Sequence, residues 1–374
     1  MCLSFLLFLP VLLDFIKVRQ GGESSLYTYI VYVVSLIAIL VGLRRDVTVK
    51  SVGLLFLFYF IFGFSYVMFP ETQEYYATDG FLILCVYFLP IVFFVIRKID
   101  LWDKFFLIMA WFGLLAVLMG LYIVFFSGVD NYSADERYFT YMEFSYGVLP
   151  FVCSLYKQAR ESMPWTFFPF FILGFIEMFA FGSRATVLFV LLFVFFSELL
   201  YRSRNIKGIL TLLLIIGMVA LNFENIVSWL AGISGIGDSY VLRHIIVGEL
   251  FQHDTREVIY SNCQNRISSM GFDICGFFGD RMYCGSIYPH NIIYEIMMQW
   301  GWLLGSVILL YILYLIIKSF LNDHHRIVLV FLVCCLLGRF FVSGTYVVEG
   351  RFWVFYGCLL ALTSSKKTIN KYAI

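Results

Sequence analysis

The sequence predicts an all-α integral membrane protein with about twelve transmembrane helices and one long extramembrane segment between the ninth and tenth spans. Composition is the first observation behind this prediction. Of the 374 residues, 61% are hydrophobic, 20% aromatic and only 14% charged, and the mean hydropathy is +0.89. Because a soluble domain typically carries about 25% charged residues, a globular fold of this composition would lack a water-compatible surface. The second observation is a series of apolar runs of bilayer-spanning length, which favours helices over a β-barrel.

The apolar runs define the spans in chain order. They cover residues 2–16, 26–43, 51–69, 80–96, 105–126, 144–156, 165–181, 185–201, 208–223, 291–318, 327–345 and 350–363. Residues 1–374 are therefore interpreted as a single polytopic membrane domain. The first run has neither a basic start nor a small-residue cleavage site, which indicates a span and not a signal peptide.

Lysine and arginine residues in the short loops predict the orientation. With both termini in the cytoplasm, most of these residues lie in cytoplasmic loops, whereas the loop "PETQEYYATDG" on the opposite face has none. Lys17 and Arg19 are exceptions. Residues 224–289 then form an outer segment of about 66 residues, a length that is usually functional. Within it, 241–250 and 255–270 are predicted to be amphipathic helices, and the glycine-rich stretch that follows is predicted to be a loop.

The motifs and the cysteines limit the kinds of chemistry that the sequence predicts. No Walker A, GxGxxG or HExxH motif occurs, so the sequence predicts no nucleotide or zinc chemistry, no cofactor and no nucleic-acid partner. Five cysteines in spans are expected to pack as small apolar residues: Cys85, Cys153, Cys334, Cys335 and Cys358. Cys263, Cys275 and Cys284 lie in the outer segment. If that face is a periplasm, one disulfide among these three is expected, with one thiol left over.

Arg184 is the first candidate site residue. Gly182 and Ser183 break two apolar runs just before it and predict a tight outer hairpin. The alternative is a snorkelling arginine that anchors a helix end. The order of the spans puts Arg184 on the outer face, where the positive-inside rule does not favour a cation. A guanidinium there suits an anionic headgroup, because arginine binds phosphate oxygens bidentately.

The outer segment supplies a second group of candidates. They are Arg243, Arg256, Arg266 and Arg281. As a set beside the glycine-rich turn, these arginines are predicted to form a phosphate-binding wall. Gly271, Gly276 and Gly279 would let backbone amides approach the anion. The alternative for each arginine is an ordinary solvated surface residue.

His290 is the third candidate. Pro289 resists helix and a long apolar run follows, so His290 and Asn291 are placed at the N-terminal end of a helix. The positive end of the helix dipole disfavours imidazolium, and a neutral imidazole is what a general base must be. The alternative is an interfacial histidine that caps the helix. Glu295, about one turn deeper, is expected to orient the ring or to titrate itself.

Arg339 interrupts the eleventh span. A guanidinium buried at that depth must have a partner. Glu349 and Arg351 are the nearby candidates for such a polar cluster.

Four segments, taken in order, resemble the O-antigen polymerase and O-antigen ligase superfamily. They are "GSRATVLFVLLF", "TREVIY", "CGFFGDRMYCGSIYPHN" and "HNIIYEIMMQWGWLLG". The resemblance covers residues 175–320 and includes the His-Asn pair followed by Gly301 and Gly305. It implies that Arg184 and Arg256 contact a diphosphate and that His290 is the catalytic histidine.

The resemblance implies a glycosyltransferase of the bacterial inner membrane that acts on undecaprenyl-diphosphate-linked glycans at the periplasmic face. Such a transfer needs cations at the departing diphosphate and a base for the acceptor hydroxyl, and it needs neither nucleotide nor metal. A polymerase that joins repeat units is favoured over a ligase that transfers the chain to lipid A core. The non-enzyme alternative is a lipid-linked oligosaccharide flippase. The expected partners are the lipid-linked glycan, the bilayer, a chain-length regulator and a separate flippase.

Overall fold

The computed structural model of the chain describes most of the predicted spans. The described residues are 2–20, 33, 37, 48–77, 79–99, 101–126, 141–181, 183–202, 225, 228, 229, 232, 256–284, 288–322 and 325–364. The predicted spans 26–43 and 208–223 lie outside them, apart from residues 33 and 37, as do the predicted helix 241–250 and Arg243.

Every regular element in the described part of the chain is helical. The α-helices are α1 (Cys2–Gln20), α2 (Val49–Met68), α3 (Gln73–Tyr76), α4 (Asp79–Ile83), α5 (Leu89–Phe94), α6 (Trp102–Phe126), α7 (Tyr141–Glu161), α8 (Pro164–Ala180), α9 (Arg184–Arg202), α10 (Arg256–Met270), α11 (Ile292–Phe320), α12 (Arg326–Leu332) and α13 (Gly350–Ser364). Single turns of 3-10 helix occur at Pro70–Thr72, Ile96–Lys98, Gly279–Met282 and Gly338–Phe341, and π turns at Leu84–Phe88 and Val333–Leu337. The predicted all-α class is confirmed.

Four described helices are long and apolar enough to cross a membrane. They are Val49–Met68, Trp102–Phe125, Arg184–Tyr201 and Ile292–Phe320. A fifth candidate is the pair Pro70–Tyr76 and Phe81–Phe94, which is bent by 80°. Leu3–Ile16 and Pro164–Met178 are shorter apolar helices at the predicted first and seventh spans. These helices are those of a membrane protein, whereas the total of about twelve spans stays a prediction.

Two of the predicted spans contain a π turn. Residues 80–96 pass from α4 through the π turn Leu84–Phe88 into α5. Pro90 explains the wider turn, because its ring would clash with the carbonyl one turn earlier in a regular helix. In residues 327–345, α12 gives way to a π turn and a 3-10 turn, and helical structure ends at Phe341.

The described chain forms two compact units. The first contains α1, α6, α7, α8, α9 and the turns at 333–341. α7 lies at its centre and packs against α1, α6, α8 and α9. It extends the predicted sixth span, 144–156, to the 21 residues Tyr141–Glu161. Residues 144–159 are all buried, so α7 is a core helix covered by its neighbours and its sequence needs no lipid-facing stripe.

A charged cluster marks one end of this first unit. The hydroxyl of Tyr156 donates to Glu198 Oε1 over 2.5 Å, and Arg160 Nε donates to the same oxygen over 3.0 Å. Lys157 Nζ lies 3.8 Å from Asp103. These side chains come from the start of α6 and the ends of α7 and α9. The positive-inside prediction assigns this end to the cytoplasmic face.

The second unit contains α2 to α5, most of α10, α11 and α13. Its glycine-rich loop is held by aromatic side chains of the membrane helices. The ring of Phe277 lies 4.4 Å from that of Phe62 and 4.8 Å from that of Trp300. Gly276 has a φ of 71°, and a Cβ on it would lie 2.2 Å from Phe69. The backbone N–H of Phe277 donates to Ser65 Oγ over 3.0 Å. The loop is thus anchored to α2 and α11.

Helix α10 confirms the second predicted amphipathic helix. Its buried Cys263 and Ile267 pack in one apolar cluster with Cys284, Met297 and Met298. The cluster fixes α10 against the first turns of α11. Exposed polar side chains cover the opposite face of α10: Ser261, Asn262, Gln264, Asn265, Ser268 and Ser269.

A break within α11 receives the start of the glycine-rich loop. Gly301 has a φ of 66° and a ψ of −178°, so the regular hydrogen bonds of the helix are interrupted there. The freed carbonyl of Gln299 accepts from the N–H groups of Cys275 and Gly276, each over 3.0 Å. The N–H of Trp302 donates to the carbonyl of Gly271 over 3.4 Å. These hydrogen bonds satisfy backbone groups of both α11 and the glycine-rich loop.

Substitution of Gly301 by alanine is expected to lower stability by about 1–3 kcal/mol or more, because this backbone conformation is essentially confined to glycine. An added Cβ would also lie 2.6 Å from the carbonyl oxygen of Asp273. The measurement is the thermal midpoint of the purified protein. Gly53→Ala is the matched control, since Gly53 lies within α2 with nothing within 4 Å of an added Cβ. Equal midpoints for the two variants would contradict the break as described.

Candidate functional site

Arg184 is the first residue of α9, and its side chain is exposed. Three residues separate it from the end of α8, which confirms the predicted tight hairpin. Ser145 Oγ and Thr186 Oγ1 lie 2.7 Å apart, so the starts of α7 and α9 meet and the two helices run parallel. Arg184 therefore lies at the end of the first unit opposite the charged cluster at Glu198. Because the helix dipole disfavours a cation at the first residue of a helix, this position does not favour an arginine that merely anchors the helix end.

Arg339 has a partner at that same end. Its guanidinium binds Glu143 bidentately, with Nη1–Oε2 at 2.7 Å and Nη2–Oε1 at 2.5 Å. Its carbon atom Cζ lies 4.8 Å from the centre of the Tyr146 ring. The side chain is 7% exposed. The prediction that Arg339 needs a partner is met by Glu143, whereas Glu349, the proposed neighbour, accepts a hydrogen bond from the backbone N–H of Thr345 over 3.1 Å.

His290 lies in the second unit, directly before α11. Asn291 is the N-cap of that helix, and its side chain accepts from the N–H of Ile293 over 2.9 Å. The capping role thus belongs to Asn291 and not to His290. His290 has a φ of 57°, in the left-handed region that few residues other than glycine adopt, and its half-buried ring lies 4.4 Å from that of Tyr288. Backbone strain of this kind concentrates at functional sites.

A buried polar network lies along the first turns of α11. Glu295 accepts from the hydroxyl of Thr345 and from the N–H of Tyr346. Gln299 accepts from the hydroxyl of Tyr346 over 2.5 Å and donates to Asp280 over 2.5 Å. All five side chains are at least 95% buried. The structure gives Glu295 a role in fixing the turn at 345–346, which differs from the expected role of orienting the histidine ring.

Arg281 lies within the 3-10 turn at Gly279–Met282, and Arg266 lies on α10. The guanidinium of Arg266 lies 4.1 Å from the Tyr283 ring, and its Nη2 lies 3.7 Å from Cys275 Sγ. The guanidinium of Arg281 lies 4.7 Å from the Phe278 ring. Both are half-buried against aromatic faces. Arg256 is the first residue of α10, and its side chain lies outside the described part of the chain.

Two of the glycine amides predicted to approach an anion are engaged within the fold. The N–H of Gly276 donates to Gln299, and the N–H of Gly279 donates to the carbonyl of Gly276 over 3.2 Å. The glycines are needed for close packing instead, since a Cβ on Gly279 would lie 2.4 Å from Cys275 Cβ. These two N–H groups are therefore not available to a phosphate.

Asp280 is a buried carboxyl that the sequence interpretation did not single out. Burial raises the pKa of this carboxyl from 3.8 to about 6, and the hydrogen bond from Gln299 and the charge of Arg281 oppose the rise only in part. The folded protein therefore keeps this proton up to about pH 6, whereas the unfolded chain releases it near pH 3.8. The contribution of Asp280 to the free energy of unfolding is therefore present at low pH and is lost as pH rises through the pKa of the folded protein.

Asp280→Asn is accordingly expected to raise the thermal midpoint at pH 7.5, where the wild-type carboxylate is ionised and buried. The asparagine oxygen can still accept from Gln299. At pH 5 the difference in thermal midpoint between the two proteins should be smaller, because the wild-type carboxyl is then neutral in the folded protein. Thermal unfolding of both proteins across this range tests the assignment. A midpoint difference independent of pH would contradict it.

Two contacts were not predicted from the sequence because they join distant segments of the chain. Glu143 and Arg339 are 196 residues apart, and Gln299 and Tyr346 are 47 apart. Glu143 could in principle have been predicted, because a buried arginine needs an acidic partner and the predicted topology places both residues toward the outer face. No sequence pattern connects Gln299 with Tyr346.

Comparison with known proteins found no family model, no curated protein and no solved structure that matches this chain. Its function must therefore be argued from its own residues.

Proposed function

We propose that the protein is a polymerase of undecaprenyl-diphosphate-linked oligosaccharide repeat units, acting at the periplasmic face of the bacterial inner membrane. The observation that carries the proposal is His290: an imidazole in a strained backbone conformation, one residue outside the N-cap of a helix long enough to span the membrane. A base at that position would meet substrates that enter from the bilayer.

In the proposed reaction, His290 takes the proton of the acceptor hydroxyl as its oxygen attacks the anomeric carbon of the donor sugar. The bond from that carbon to the diphosphate breaks, and undecaprenyl diphosphate leaves. The positive end of the helix dipole disfavours imidazolium, and the proposal assigns the neutral imidazole the role of accepting the proton.

The arginines are proposed to stabilise the negative charge on the leaving diphosphate. Arg184 is the first choice, since its exposed guanidinium at a helix N-terminus would share an anion with the adjacent backbone N–H groups. Arg256 is its proposed companion. Arg281 and Arg266 are assigned lesser roles, because both guanidinium groups already pack on aromatic rings.

The buried pairs are proposed to hold these groups in place. Arg339 and Glu143 fix the end of the first unit at which Arg184 lies. Glu295 and Gln299 fix the start of α11, on which the position of Asn291 and His290 depends.

The surface glycan of a deletion strain tests the reaction class. A polymerase deletion should leave core decorated with a single repeat unit. Undecorated core would indicate a ligase, and lipid-linked units accumulating on the cytoplasmic side would indicate a flippase. Either of those outcomes would overturn the proposal.

A further inference from the structure

Two buried thiols of the outer segment face each other in the second unit. Cys263 Sγ of α10 and Cys284 Sγ, just after the turn at Gly279–Met282, lie 3.5 Å apart. Cys263 is 0% exposed and Cys284 is 8% exposed. A disulfide needs the sulfurs about 2.05 Å apart, so side-chain movement of about 1.5 Å would join them.

The surroundings favour this pair over the other combinations of outer cysteines. Both residues belong to the apolar cluster with Ile267, Met297 and Met298, which holds their backbones in place. Cys275, the third outer cysteine, lies in the anchored glycine-rich loop, where its sulfur contacts Arg266. The hydrogen bond between the two thiols lowers the pKa of Cys263 and raises that of Cys284, as expected for one sulfur donating to the other.

We propose that Cys263 and Cys284 are joined by a disulfide in the mature protein, which ties α10 to the turn that leads to His290. Cys275 remains a thiol. The inference rests on residues 224–289 lying outside the cytoplasm, and it does not depend on the polymerase reaction.

The oxidant is a protein disulfide of the thiol-oxidoreductase class. One cysteine thiolate attacks that disulfide and forms a mixed disulfide with the oxidoreductase, and the thiolate of the second cysteine then attacks the sulfur of the first, so that the oxidoreductase sulfur leaves. The Sγ–Sγ bond forms, the two thiols lose two electrons and two protons, and the oxidoreductase leaves as a dithiol. Because both sulfurs are buried in the fold, this exchange takes place before α10 packs, and the finished bond is shielded from reduction.

Peptide mapping of the full-length protein tests the inference. Free thiols are blocked with N-ethylmaleimide as membranes are prepared, and the purified protein is digested without reductant. Cleavage at Arg256, Arg266, Arg281 and Lys318 places the three outer cysteines in separate peptides. The expected product is peptide 257–266 linked to peptide 282–318, with peptide 267–281 alkylated.

Cys275→Ser is the matched control and should leave that linked product unchanged. In Cys263→Ser, peptide 282–318 should instead appear alkylated. Recovery of peptides 257–266 and 282–318 both alkylated from the wild-type protein would overturn the inference, as would a link to peptide 267–281. Chain extension by the same preparation is measured separately, so that a missing disulfide can be distinguished from a missing polymerase activity.

Discussion

Replacing His290 by asparagine is expected to lower the rate of chain extension by about 10²–10⁴-fold, the usual effect of removing a general base. Asparagine is the informative substitution because the backbone at His290 has a φ of 57°, which asparagine tolerates better than alanine does. The variant therefore removes the titrating imidazole with little added strain. The measurement is the initial rate of undecaprenyl diphosphate release by purified protein, with donor binding measured separately.

His325→Asn is the control for this experiment. His325 lies in a predicted cytoplasmic loop, where its backbone N–H donates to the carbonyl of Asn322 over 2.9 Å. Replacement of its side chain should leave turnover unchanged. A His290→Asn protein with wild-type turnover and chain length would show that this histidine only shapes the start of α11.

Arg184→Ala is expected to lower turnover by about 10²–10³-fold, comparable to the loss of one group that stabilises charge in a transition state. The turnover of Arg184→Lys should lie between those of Arg184→Ala and the wild-type protein, since lysine keeps the charge but lacks the planar guanidinium that binds two phosphate oxygens. The measurement is kcat and KM for a polyprenyl-diphosphate donor, repeated with EDTA present. Loss of wild-type activity with EDTA would assign charge neutralisation to a divalent ion.

Arg326→Lys provides the matched comparison, because Arg326 also begins a helix but lies on the predicted cytoplasmic side. Its Nε donates to the carbonyl of Phe320 over 3.0 Å. Turnover should be insensitive to this change. If Arg184→Lys behaves in the same way, Arg184 is a topological anchor and not a diphosphate ligand.

Local patterns in the sequence predicted much of the fold. The helical class followed from composition, the α8–α9 hairpin from Gly182 and Ser183, and the start of α11 from Pro289 and the apolar run after it. These features depend on neighbouring residues only. The interruptions at the π turns and at Gly301 were not predicted, because hydropathy does not record backbone conformation.

The candidate site was only partly predictable for a related reason. Positions such as Arg184 and Arg339 could be singled out as charges in apolar surroundings. Their partners could not, because Glu143 reaches Arg339 only through the packing of the first unit. Gly276 and Gly279 suggested an anion nest, yet the folded loop uses the amides internally. Composition does not show where a backbone N–H will donate.

The most direct test of the central claim uses purified protein and one substrate, an undecaprenyl-diphosphate-linked single repeat unit. The account predicts a ladder of longer glycans that remain attached to undecaprenyl diphosphate, with one undecaprenyl diphosphate released for each new linkage, and no ladder from His290→Asn. Absence of a ladder until lipid A core is supplied as acceptor would contradict the polymerase assignment and indicate a ligase.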